Sequence, residues 1–282
     1  MIVITGASGQ LGQLLIADLL KKIPAARIVA AVRDVAKAAD LAALGVQVRH
    51  ADYELPATLD AAFQGASKVL LISSNAMGRR VAQHRNAIDA AVRAGVKLLA
   101  YTSVLHADTS KLGLAAEHRE TEAAVLASGL PYTLLRNGWY MENYTAGLGG
   151  ALEHGVLLGG AGEGRIAAAA RADYAAAAVA VLLSEAPVPQ VLELAGDQAF
   201  TLAELAAELA LQAGKAVAYN NLDEAAYREA LLGVGLPAGM AALIADSDAA
   251  AAQGALFDDS RSLSKLIGRP TTTLAAAVRA AL

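Results

Sequence analysis

The 282-residue chain has no cysteine, which excludes disulfides, thiolate metal sites and cysteine nucleophiles. Its 23 basic and 27 acidic side chains leave a net charge of −4, and this balance gives no electrostatic reason to expect a nucleic-acid partner. The 56% hydrophobic share is inflated by alanine, and the longest alanine-rich stretch, Ile166 to Leu183, carries Arg171, Asp173 and Tyr174 with Arg165 beside it. That stretch reads as a helix lying against a core, not as a membrane span. Met1 runs straight into an apolar strand-like segment, which leaves no room for a signal or transit segment, so a cytoplasmic protein is expected.

The opening, MIVITGASGQLG, is the most informative stretch. Ile2 to Ile4 read as a strand, Gly6, Gly9 and Gly12 as a tight turn, and Leu11 to Lys22 as a helix. This order opens a dinucleotide-binding βαβ unit: the turn brings backbone close to a diphosphate, and the helix start offers unpaired N–H groups to it. GxxGxxG differs from the GxGxxG spacing, and an ordinary strand-to-helix turn is the competing reading.

Further strands are expected at Arg27–Val32, Val46–His50, Lys68–Ser73, Lys97–Thr102 and Tyr132–Arg136. Helices are expected between them at Val35–Leu44, Ala57–Phe63, Arg79–Ala94 and Leu114–Ala127, several ending at glycine. This alternation predicts an α/β, Rossmann-type, doubly wound parallel sheet over residues 1–136. After Arg136 the rhythm breaks into a polar, aromatic segment, Asn137 to Asn143, and a glycine-rich run from Gly147 to Gly164. Beyond these, Val191–Leu194 and Val217–Tyr219 read as strands, and Thr201–Gln212 as a helix capped by Thr201 and Glu204. Asp223–Leu232 and Pro237–Asp246 read as helices. Residues 137–282 are therefore expected to form a smaller C-terminal, substrate-side lobe interleaved with late Rossmann elements.

Cofactor choice should rest at the end of the second strand, where a carboxylate binds a ribose 2′-OH and an arginine pairs with a 2′-phosphate. Arg33 stands there with Lys37 a helical turn on, which favours NADPH (NADP+), while the adjacent Asp34 offers itself to a ribose instead. Asp52, after the third strand, can accept from an adenine amino group or can simply cap a turn. Ser73, Ser74 and Asn75 end the fourth strand with small polar side chains suited to lining a ribose and nicotinamide. His106, just past the fifth strand, is a candidate wall of a substrate pocket. Tyr140, Asn143 and Tyr144 are placed to cover a nicotinamide or stack on an aromatic substrate. Trp139 reads as a packing anchor. The five scattered histidines show no ligand spacing, so no metal is expected.

Gly6–Gly12, Arg33, Asp52, LAYTS (Leu99–Ser103) and SGLPYTLLR (Ser128–Arg136), with LHADTS (Leu105–Ser110) and GRPTTT (Gly268–Thr273), together resemble the NmrA-like family of atypical short-chain dehydrogenase/reductases. Within that family the likeness is nearest to a quinone-reducing bacterial branch, then to a dye-reducing one. The resemblance implies NADPH bound by Gly6, Ala7, Ser8, Gly9, Gln10, Leu11 and Gly12, by Arg33, by Ser73–Asn75, and by Asn137, Gly138, Trp139, Tyr140, Met141 and Glu142. It also implies hydride transfer to quinones or similar flat electrophiles as the small-molecule substrate. The family also holds cofactor-binding regulators without turnover, which supply a rival reading, as does reduction or epimerisation of another small substrate. Counting along the fifth helix, the tyrosine and lysine of ordinary short-chain dehydrogenases fall on Leu114 and His118, so that acid pair is missing. His118 remains a candidate proton donor or cofactor contact, with Tyr140 beside the nicotinamide. A homodimer stays open.

Overall fold

The computed structural model describes residues 1–282. In chain order its first elements are β1 (Ile2–Thr5), α1 (Gln10–Leu20), β2 (Ile28–Val32), α2 (Ala39–Ala43), β3 (Gln47–His50), α3 (Pro56–Phe63), β4 (Lys68–Leu71), α4 (Arg80–Arg93), β5 (Leu98–Val104), α5 (Ala115–Ala127) and β6 (Tyr132–Asn137). They continue through α6 (Glu142–Thr145), α7 (Leu148–His154), β7 (Val156–Gly159), α8 (Arg171–Leu183), β8 (Val191–Leu194), α9 (Leu202–Ala213) and β9 (Ala218–Asn221). The chain closes with α10 (Glu224–Gly233), α11 (Ala238–Ala252), α12 (Ser262–Ile267) and α13 (Leu274–Ala281).

Seven strands form one sheet in the order β3-β2-β1-β4-β5-β6-β8. The pairs from β3 through β6 are parallel, with Ile4 between Ala30 and Leu70. Strands such as IVIT and IVAAV are buried at every position, as expected where helices cover both faces of a parallel sheet. The chain winds outward from β1 to β3 and then returns to place β4 on the other side of β1. This reversal makes the carboxyl ends of β1 and β4 the switch point outside which such sheets take ligands.

The chain divides into two compact units, 1–107 with 116–137 and 171–192, and 108–115 with 138–170 and 193–282. Besides the crossing near residue 136, the chain passes between the units four more times: residues 108–115 belong to the second unit, and α8 returns to the first and packs along α1. The alanine-rich segment is not helical throughout. Ile166 to Ala170 are extended, with Ile166 exchanging backbone bonds with Phe200 at 2.8 and 3.0 Å and Ala169 donating to Trp139 O at 3.1 Å. Buried alanine methyls let other backbone segments come this close, so helix begins only at Arg171. The glycine-rich run likewise hides α7 and β7, the latter paired in parallel with β9 from Val156–Ala218 to Gly159–Asn221.

Candidate functional site

In the first unit, the expected cofactor residues lie at the carboxyl ends of β1, β2, β3, β4 and β6. Gly6 follows β1 with φ of +58°, a left-handed conformation that L side chains rarely adopt. Gly12 packs against that turn so closely that a Cβ would lie 2.7 Å from both Ala7 Cα and Gly6 O. Gly9 caps α1 without a side chain, and the first-turn N–H groups of Gln10, Leu11 and Gly12 have no intrahelical acceptor. Such a cradle fits a diphosphate.

At the end of β2, Asp34 is already engaged: its Oδ1 accepts the Ala36 N–H at 3.1 Å, and Lys37 Nζ lies 3.7 Å from Oδ2. Arg33 is exposed and makes no protein hydrogen bond or ion pair. The charge pattern therefore offers a free guanidinium beside a carboxylate already engaged by its turn and by Lys37. Asp52 Oδ1 accepts the Glu54 N–H at 2.9 Å, which makes it the capping group of a turn and leaves its other oxygen for a further donor.

The β1–β4 switch point is tied by Tyr53, whose hydroxyl donates to Ile72 O at 2.8 Å and also bonds Thr5 Oγ1. The Ser73–Asn75 loop is held from behind by Thr102 and by Arg80, Gln83 and His84 of α4. Sequence reasoning missed these supports. The signal was present, because Arg80, Gln83 and His84 share the helical face that Ala87, Ile88 and Ala91 bury.

His118 is buried, with Nδ1 2.7 Å from the Tyr101 hydroxyl. Burial, aided by the Arg80 charge and by the neighbouring His84, lowers its pKa to about 3. It is therefore neutral at physiological pH, and a neutral imidazole is a poor proton donor; the structure gives it a packing partner in place of the expected donor geometry. Nearby, Glu122 accepts from Arg136 Nε at 3.0 Å and Nη2 at 2.7 Å and from the Ser103 hydroxyl, a buried ion pair joining β5, β6 and α5. At the end of β6, Asn137 Oδ1 is buried without a partner. An orphaned acceptor at the carboxyl end of a strand of the same sheet as the glycine cradle, with β4 and β5 between them, is what a bound dinucleotide amide would satisfy. His106 adopts φ of +51°, an uncommon conformation for a side-chain-bearing residue, directly after β5.

In the second unit, Gly138 to Met141 run beside the extended Ala167–Ala169 segment, with Met141 N–H donating to Ala169 O at 2.9 Å. Gly138 and Met141 are buried, Trp139, Tyr140 and Glu142 are half-buried, and Asn143 is exposed. Tyr144 takes a different place from the expected stacking wall. Its ring packs edge-on against Phe200 with centroids 5.8 Å apart, and its hydroxyl is buried without a partner. Further into this unit, Asp248 Oδ2 accepts the Gly160 N–H at 2.8 Å, and burial raises its pKa to about 6. No cluster of three metal-ligating side chains is present, and no helix is long and apolar enough to cross a membrane.

Comparison with known proteins matches residues 1–275 to the NmrA-like family. The chain is 60% identical over 278 residues to quinone oxidoreductase 2 of Escherichia coli, covering 99% of this chain and 97% of that one. A crystal structure of an NADPH-dependent quinone oxidoreductase from Escherichia coli complexed with NADPH superposes with a TM-score of 0.97, at 60% identity and 99% coverage of both chains. The triphenylmethane reductase of Citrobacter sp. complexed with NADP(H) also gives 0.97, at 39% identity and full coverage of both.

Proposed function

The chain belongs to the NmrA-like family, and from that premise we propose that it is an NADPH-dependent oxidoreductase reducing quinones or similar flat electrophiles. The observation that carries this reading is the 60% identity, over almost the whole of both chains, to a quinone oxidoreductase. The chemistry NADPH supplies when bound is a hydride, which with one proton from water converts a quinone to a hydroquinone and leaves NADP+.

The chain's own part is binding and orientation. Gly6, Ala7, Ser8 and Gly9, with the N–H groups of Gln10, Leu11 and Gly12, receive the diphosphate, and Arg33 pairs with the 2′-phosphate. Asp52 keeps an oxygen for the adenine amino group. Ser73–Asn75 and the orphaned Asn137 amide oxygen serve the ribose and nicotinamide; in the second unit, Gly138 to Glu142 are the cofactor candidates. His106, Tyr140 and Asn143 are the substrate-side candidates. A quinone is strongly electrophilic and its reduced oxygen takes a proton readily, so the missing tyrosine–lysine pair does not prevent turnover. Catalysis rests on holding two flat rings in register. The reading needs no nucleic-acid partner, and the cytoplasm is where we place the protein.

The test is steady-state oxidation of NADPH with a panel of benzoquinones and naphthoquinones. Turnover dependent on the quinone supports the proposal. Tight NADPH binding without turnover across the panel replaces it with a cofactor-sensing regulator.

A further inference from the structure

Ser74 is held by three side chains from one helix. Its N–H donates to His84 Nε2 at 2.9 Å, its carbonyl accepts from Arg80 Nε at 2.6 Å, and its hydroxyl donates to Gln83 Oε1. Ser73 N–H, one residue back, donates to Thr102 Oγ1 at 2.9 Å. None of these bonds belongs to a sheet ladder; the loop beyond β4 takes its conformation from side chains.

The His84 bond also defines a tautomer. Nε2 accepts from Ser74 and so carries no proton, which places the ring proton on Nδ1. Nδ1 lies 3.0 Å from Thr121 Oγ1, and that hydroxyl donates onward to Glu117 O at 2.8 Å. A polarised chain thus runs from the α5 backbone through Thr121 and a fully buried imidazole to the backbone of Ser74. Burying His84 and Arg80 next to each other is costly, since both prefer water in their charged forms, and burial with the Arg80 charge holds His84 neutral. An aliphatic side chain would fill the same volume without that cost, but it would leave the Ser74 N–H without its acceptor. Asn75, next along the loop, is exposed and its side chain is uncommitted.

We propose that His84 is a positioning residue for the cofactor: its Nε2 holds Ser74 so that Ser73–Asn75 meet the ribose–nicotinamide end of NADPH in a pre-set conformation. This rests on the reading of that loop as part of the cofactor wall.

The experiment compares three variants of the full-length protein. Glutamine at position 84 can place an amide oxygen near the Nε2 position, whereas asparagine reaches only the Nδ1 position. In Thr121→Val, the Nδ1 proton loses its acceptor, and with it goes the bond that fixes the ring so that Nε2 meets the Ser74 N–H. NADPH affinity is measured by titration, loop order by hydrogen exchange of the 73–76 segment, and folding by thermal melting. His84→Asn and Thr121→Val are expected to weaken NADPH binding about tenfold and to speed exchange of the free loop, whereas His84→Gln stays within about threefold of native. Equal affinities for His84→Gln and His84→Asn, or affinity losses that merely follow the melting temperatures, overturn the proposal. If NADPH does not slow exchange of residues 73–76 in the native protein, the loop is not part of the cofactor wall, and the proposal falls with that reading.

Discussion

The Tyr101 phenol and His118 Nδ1 meet at 2.7 Å, and neither side chain is more than 5% exposed. The pair occupies the stretch of α5 and β5 where a proton-donating group would be sought, yet burial drives the tyrosine pKa upward and the histidine pKa down to about 3. Both are locked in their neutral forms. His118→Ala should therefore lower quinone turnover by less than about tenfold, below the 10²–10⁴ that loss of a general acid costs. It should lower the melting temperature, because Tyr101 loses its partner and a cavity opens. A folded, NADPH-binding His118→Ala protein without turnover would restore the histidine to the chemistry.

Acid should unfold this protein earlier than a carboxylate-only account predicts. His84 and His118 have folded pKa values near 3, against 6.5 for an unfolded histidine. Between those values the unfolded chain binds protons that the folded chain refuses. Their stabilising contribution is complete above about pH 6.5 and is lost as pH falls toward 3, at up to about 1.4 kcal/mol per pH unit for each ring. Urea titrations at pH 7.5, 6 and 5 measure this slope, and His118→Asn should flatten it.

Asp248 works in the opposite direction. Its folded pKa of about 6 exceeds the usual 3.8, so its contribution is present below about pH 4 and is lost as pH rises through 6. Asp248→Asn keeps an oxygen for the Gly160 N–H and removes the buried charge. It should gain about 1–2 kcal/mol at pH 7.5 and nothing at pH 4. An equal effect at both pH values would show that the carboxylate is not being penalised by its surroundings.

In the proposed reading cofactor choice turns on Arg33, which stands free while Asp34 is occupied by its turn and by Lys37. Arg33→Ala should weaken NADPH by about 1.5–3 kcal/mol and leave NADH nearly unchanged. Calorimetric titration with both dinucleotides checks it, and equal losses would assign Arg33 a structural role.

The sheet was legible because its strands are short apolar runs separated by glycine-ended helices, a pattern visible in one dimension. The glycine turn and Arg33 were legible for a related reason: each follows a strand directly, so its place in space is set by its neighbours in sequence. What escaped depends on packing between distant segments. Ile166–Ala170 has the composition of a helix, and only the backbones of Trp139 and Phe200 make it extended. The face of α4 that buries Arg80, Gln83 and His84 has amphipathic spacing, yet its polar members face inward because Ser74 and Thr121 await them there. Tyr144 lies in an aromatic segment suited to a ligand, and Phe200, more than fifty residues away, takes its ring.

The return of α8 to α1 bears on synthesis of the chain from its N-terminus. Until Leu183 has left the ribosome, the surface of α1 that α8 covers has no partner, although β1 to β6 are already complete. At roughly 5–20 residues per second, that surface waits for several seconds. A fragment ending at residue 137 should therefore be sticky and poorly soluble despite containing six strands of the sheet.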